Sequence, residues 1–194
     1  ASYGQVSMID HGIGRILDTL EAEGIREETV VAFTADHGDH TGQFGWFFKG
    51  TMYEGSAHVP LIVDDPAGAS GVECDHVVNN LDLYQTVLDR AGVAAPDTSS
   101  RSLVPLVENP DTEDWVDETY SDIGHTEMVV QDGYKLIAGE DIDGETAYEL
   151  YDRHTRPYDG RNLWEHPNHV DRQRDLLDAL DEYRERIAAT DPSA

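Results

Sequence analysis

Thr29-Val30-Val31-Ala32-Phe33-Thr34-Ala35-Asp36-His37-Gly38-Asp39-His40 is the stretch on which the fold turns. Its first six residues are a short β-branched run, the pattern of a strand buried on both faces. Upstream, residues 3–23 place Val6, Ile9, Ile13, Ile16, Leu17 and Leu20 on one helical face, and Gly24 supplies a stop. A helix followed by a buried strand is α/β grammar, so the expected core is a largely parallel sheet flanked by helices. Ligands of open α/β sheets bind outside the carboxyl ends of the strands, which is where Asp36 and His37 stand. A carboxylate beside an imidazole suits a divalent cation, and Gly38 permits a sharp turn next to them. On spacing alone the plainer alternative, that Asp36 only caps a turn, stays open.

Beyond this stretch, residues 35–55 form a long, polar, Gly-rich loop carrying Phe44, Trp46, Phe47 and Phe48. Loops of that length are usually functional; these aromatics read as a lid or a local core. Within the loop, Lys49 offers a compact positive charge to an anionic ligand in the same crevice. It is one of only two lysines, Lys135 being the other, in a chain whose remaining basic residues are all Arg. His40 is a candidate second imidazole ligand but reads rather as an exposed loop histidine, and His58 reads as a packed, hydrogen-bonded histidine rather than a ligand.

Val59-Pro60-Leu61-Ile62-Val63 then reads as a second buried strand, with Pro60 near its start. After a turn-rich connector, Asn80 is placed to cap a helix with the apolar face Leu81, Tyr84, Val87 and Leu88, ending at Gly92. A different texture begins near Glu118. Short strands are expected at Thr119–Ser121, Met128–Val130, Tyr134–Ile137 and Tyr148–Tyr151, with Asp132-Gly133 as a hairpin turn. A last helix over about 170–189 aligns Leu176, Leu177, Leu180, Tyr183 and Ile187. The expected organisation is therefore an α/β core over 1–124 and a small α+β subdomain, an antiparallel sheet plus helix, over 125–194.

Composition narrows the function classes. The 194 residues hold 13 Lys plus Arg against 40 Asp plus Glu, a formal net charge of −27. Such a chain repels itself at low ionic strength, whereas molar salt shortens the screening length to about 3 Å. Three Trp, nine Tyr and clear apolar runs oppose disorder. That leaves a folded protein of a high-salt organism, cytoplasmic or secreted, or an acidic protein of an ordinary one. Without a basic stripe to neutralise phosphates, nucleic acid is not an expected partner. No window approaches the roughly 18 apolar residues of a membrane span, and Ala1 to Gly24 carries no apolar secretion signal, so a soluble protein is expected. Cys74 is the single cysteine, which rules out an intrachain disulfide.

The stretch Val31 to Asp39, with Gly42, Gly45, Lys49-Gly50, Met52-Tyr53-Glu54-Gly55-Ser56 and His58-Val59-Pro60-Leu61-Ile62-Val63, resembles the formylglycine-dependent sulfatases of the alkaline-phosphatase-like superfamily. The likeness is closest to members with Asp-His-Gly at this point, such as the choline and iduronate sulfatases. Leu81 to Leu88 with Ala91-Gly92-Val93, then Arg101-Ser102-Leu103, Asp132 to Ile137 and Glu149 to Asp152, match later segments of the family in the same order.

The resemblance implies that Asp36 and His37 are two ligands of a divalent metal, calcium above others, and that Lys49 binds an oxygen of a sulfate ester substrate. His58 matches a position often held by Arg or His and is kept structural; Tyr53 and Glu54 match without assigned chemistry. The family's nucleophile, a formylglycine made from Cys or Ser in a Cys/Ser-x-Pro-x-Arg motif, has no counterpart here, because Cys74 lies in Val72-Glu73-Cys74-Asp75-His76. The aspartates that complete the family's metal site precede that motif and have no counterpart either. The expectation is the C-terminal half of a metal-dependent sulfatase, with the N-terminal half as its partner and no activity alone. Two rivals remain: a phosphate or phosphonate ester hydrolase of the same superfamily, and a non-catalytic acidic interaction module.

Overall fold

Helix α1, Ser2–Ala22, opens the chain as its period predicts and stops at Gly24, where φ is 71°. The computed structural model describes residues 2–96, 98–141, 143–155 and 158–190; Ala1 and residues 191–194 of the expected second unit lie outside the described residues. Part of its apolar stripe is not covered: Tyr3, Val6, Met8, Ile9 and Ile16 are each more than 50% exposed, whereas Ile13, Leu17 and Leu20 are half-buried.

Strand β1, Val31–Thr34, follows as expected, but its partner β4, Leu61–Asp64, runs antiparallel to it, with Thr34 opposite Leu61 and Val31 opposite Asp64. This corrects the expected largely parallel core: among the described residues every strand pairing is antiparallel. The intervening loop is the cause. It folds back through a hairpin of β2, His40–Thr41, with β3, Phe47–Phe48, and through the one-turn helix α2, Glu54–Ala57. Leu61 therefore starts where Thr34 ends, whereas a parallel pairing needs a crossover back to the far end of β1. Nor is the pair buried on both faces, since Ala32 and Ile62 are exposed.

Helix α3, Asp82–Arg90, also departs from expectation. Leu81, Tyr84 and Val87 of its apolar face are exposed, while Asp82 and Thr86 are buried. The buried side docks by hydrogen bonds: Asp82 Oδ1 accepts the Arg101 N–H at 2.8 Å, and Thr86 Oγ1 accepts the Leu103 N–H at 2.8 Å. Satisfied polar groups can be buried at little cost, so this face, rather than the apolar one, meets the chain. Asn80 is not the cap. Its Nδ2 donates to Ala35 O at 2.8 Å and its Oδ1 accepts from Thr34 Oγ1 at 2.9 Å, tying the helix start to the end of β1. The short helix α4, Val104–Glu108, then buries Leu106.

The second half follows its sequence closely. Strands β5, Glu118–Ile123, β6, Thr126–Gln131, β7, Tyr134–Glu140, and β8, Thr146–Asp152, form one antiparallel meander in that order. Asp132 and Gly133 both take positive φ, 49° and 76°, as a two-residue hairpin turn of the primed type requires. Helix α5, Val170–Thr190, covers one face of the sheet, where Leu176, Ala179 and Leu180 pack on Val129, Leu136 and Leu150. Ile187, expected on the same face, stays 40% exposed.

On the opposite face, Met128, Val130, Ile137 and Tyr151 close on Met52, with Tyr53 and Ala57 packed against them. Strand alternation puts Lys135 on this face beside Ile137. This second cluster fastens the loop after β1 to the C-terminal sheet. Among the described residues, no helix is long and apolar enough to cross a membrane.

Candidate functional site

Asp36 and His37 leave the end of β1 together. Asp36 Oδ1 accepts the His37 N–H at 2.9 Å, and its other oxygen, Oδ2, lies 3.2 Å from His37 Nε2. His37 Nδ1 is 2.9 Å from Gly38 O. A carbonyl only accepts, so Nδ1 carries the hydrogen and Nε2 presents its lone pair. Lys49 Nζ donates to that lone pair at 2.7 Å. The structure thus brings all three predicted residues together: a carboxylate oxygen, an imidazole nitrogen and an ammonium group meet around His37 Nε2. The cluster is open, with the Asp36 side chain 84% and that of His37 36% exposed.

Two other histidines differ from their readings. His40 is buried rather than exposed; its Nε2 meets Thr51 Oγ1 at 2.8 Å, and a Cβ on Gly55 would stand 2.5 Å from its Nδ1. Its ring therefore fills the space beside a glycine with no side chain, inside the loop. His58 is hydrogen-bonded, through Nδ1 to Glu54 Oε2 at 2.9 Å, but it is 57% exposed rather than packed. Phe44, Trp46, Phe47 and Phe48 are 49–77% exposed, so they do not form a local core.

Residues that the sequence reading left without chemistry form a buried charge network under the site. Lys135 is completely buried, and its Nζ reaches Met52 O at 3.2 Å, Glu54 Oε1 at 2.8 Å and Asp159 Oδ1 at 2.5 Å. Arg153 Nε stands 3.5 Å from Glu54 Oε1. Burial alone raises the Glu54 carboxyl, but the His58 hydrogen bond, the Lys135 ammonium and the Arg153 guanidinium outweigh it and hold the group at about 2. Nearby, the Tyr53 hydroxyl lies 3.1 Å from each Glu149 oxygen, and burial with the Glu149 charge pushes that phenol up. One signal pointed to Lys135: it is a charged residue inside an apolar strand, and one of two lysines.

The chain is similar to known proteins over nearly its whole length. The family description "N-sulphoglucosamine sulphohydrolase, C-terminal" matches residues 42–186, well over half of the chain. An N-acetylglucosamine-6-O-sulfatase of Bacteroides thetaiotaomicron is 33% identical across 96% of this chain and 36% of its own length. A choline-sulfatase of Rhizobium meliloti is 32% identical across 86% of the chain and 33% of its own. Among solved structures, one described as in complex with its substrate D-glucosamine-2-N,6-O-disulfate superposes with a TM-score of 0.87 at 30% identity, over 96% of this chain and 40% of that one. A phosphonate monoester hydrolase of Agrobacterium radiobacter shares the fold, with a TM-score of 0.79 at 24% identity over 95% of this chain and 40% of that one. The chain thus spans well under two thirds of the length of these relatives. On this evidence of sequence and fold, the chain belongs to the sulfatases, a family of sulfuric ester hydrolases, and corresponds to the C-terminal part of their fold.

Proposed function

We propose that this chain supplies one side of a sulfatase active site, in which Asp36 and His37 hold a divalent cation, calcium, and Lys49 binds an oxygen of the sulfate ester. The observation that carries this reading is the approach of Asp36 Oδ2 to His37 Nε2, at 3.2 Å, at the end of β1; Lys49 Nζ, 2.7 Å from the same nitrogen, holds its lone pair in the absence of a cation and moves off it onto the sulfate oxygen when one binds. A carboxylate oxygen and an imidazole nitrogen 3.2 Å apart can be neighbouring ligands of one divalent cation. Calcium takes about six to eight ligands, and among the described residues no group of three or more His, Cys, Asp or Glu is arranged to hold a metal. The remaining ligands therefore come from outside this group of residues.

When bound, the ion withdraws charge from the sulfate oxygens. Lys49 adds a fixed positive charge on the same oxygens as negative charge builds there. The formylglycine nucleophile belongs to the N-terminal half of the fold. That half is also the partner expected over the exposed Val6, Ile9 and Ile16 of α1, Ile62 of β4, and Leu81, Tyr84 and Val87 at α3. Alone, the chain turns over no sulfate ester. Its net charge of −27 fits a protein working in high salt.

A calcium chloride titration of the isotope-labelled chain in molar KCl, followed by nuclear magnetic resonance, tests the site assignment. Weak saturable shifts centred on Asp36, His37 and Gly38, lost in Asp36→Asn, are expected. Calcium-independent resonances at these residues would refute it.

A further inference from the structure

His37 and Lys49 reach their meeting point from opposite ends of the loop, and each is followed by a glycine. Both glycines hydrogen-bond to the same residue. The Gly38 N–H donates to Ser56 O at 2.8 Å, and the Gly50 N–H donates to Ser56 Oγ at 3.3 Å. Ser56 is only 5% exposed. The contact leaves no slack, because a Cβ on Gly38 would overlap the Gly55 carbonyl oxygen.

Ser56 lies in α2, and the start of that helix is pinned from the C-terminal sheet. The Glu54 N–H donates to Asp159 Oδ2 at 2.6 Å, while Asp159 Oδ1 pairs with Lys135 Nζ at 2.5 Å. The same ammonium donates to Met52 O at 3.2 Å and Glu54 Oε1 at 2.8 Å, so it grips the turn at both main chain and side chain. Glu54 and Asp159 are matched by Lys135 and Arg153, the balance that buried charge demands.

We propose that Ser56 is a positioning residue that sets His37 and Lys49 relative to each other, and that Lys135 holds Ser56 in place from the C-terminal sheet. The inference rests on the reading of His37 as a cation ligand and Lys49 as a sulfate-binding residue. It also accounts for a lysine at 135 in a chain whose basic residues, Lys49 apart, are otherwise all Arg. The compact ammonium donates to Met52 O and Glu54 Oε1 and sits in an ion pair with Asp159 Oδ1, three groups around one buried point, whereas a planar guanidinium needs its acceptors in a fork. From Lys135 to His37 the path crosses one helical turn and the backbone hydrogen bond from Gly38 N–H to Ser56 O, so a change in the sheet reaches the site.

Amide hydrogen exchange and calcium titration of the full chain, wild type against Ser56→Ala and Lys135→Arg, test this. In Ser56→Ala, exchange at Gly50 should accelerate about tenfold, the worth of one hydrogen bond, while Gly38 and the core amides of Val129 and Leu136 keep their protection. In Lys135→Arg, Gly38 and Gly50 should both accelerate by about that factor. In both variants the Nε2 nitrogen resonance of His37 should move and calcium should bind more weakly. Should Lys135→Arg fail to fold, seen as lost protection at Val129, Ser56→Ala decides, since it removes one hydroxyl. Unchanged exchange at Gly50 and an unmoved His37 resonance in Ser56→Ala would overturn the inference. If wild type shows no calcium-dependent shift, the functional reading fails instead, and exchange still decides the linkage.

Discussion

Replacing Glu54 by Gln removes the charge at the centre of the network that fastens the site to the C-terminal sheet. The Glu54 side chain is only 10% exposed, so solvent screens it little. Its carboxyl, raised by burial but lowered further by His58, Lys135 and Arg153, stands at about 2 against an ordinary 4.5. At 1.36 kcal/mol per unit, that difference is worth about 3 kcal/mol near neutral pH. The folded-state value is the depressed one, so this stability is complete above the unfolded value of 4.5 and is lost as pH falls from there through about 2. Gln keeps the shape but carries no charge. Glu54→Gln should therefore be about 3 kcal/mol less stable near neutral pH, with the gap closing steadily below pH 4.5. Urea unfolding of both proteins in molar KCl, followed by Trp fluorescence across that range, measures the gap; buried pairs keep their interaction in such salt. A gap that holds constant from neutral to acid pH would show that Glu54 contributes shape and not charge, and would refute the reasoning.

Two further changes probe the C-terminal sheet that carries the network. Leu180→Ala empties a completely buried position between α5 and the sheet and should cost about 2–5 kcal/mol in urea unfolding. Gly133→Ala places a side chain at a φ of 76° and against the His154 imidazole, and should cost more than about 1 kcal/mol by the same measurement.

Legibility of the sequence followed where each segment finds its partners. The meander β5 to β8 and helix α5 were readable because alternation, the Asp132-Gly133 turn and the Leu176–Leu180 stripe meet within the chain. The direction of β4 was not readable, because it depends on how the loop over residues 35–60 folds back, and local periodicity does not record that. On α3 and α1 much of each apolar stripe faces outward (Val6, Ile9 and Ile16, then Leu81, Tyr84 and Val87), and in α3 Asp82 and Thr86 take the buried side through hydrogen bonds to residues 101 and 103. At the site, residue types and spacing brought out Asp36, His37 and Lys49. Ser56 and Asp159 carried no such signal, since a buried Ser or Asp looks like a loop residue until its partners are placed.

Sulfate-ester turnover by the protein expressed from the whole reading frame that contains this chain tests the central claim most directly. With p-nitrophenyl sulfate and calcium, that protein should turn over the sulfate in preference to p-nitrophenyl phosphate. Asp36→Asn and Lys49→Ala should each lower kcat/KM by about a hundredfold or more, the loss expected when one electrostatic contact to the transition state is removed. Equal turnover by wild type and both variants, or a clear preference for the phosphate ester, would contradict the assignment of these residues to a sulfatase site.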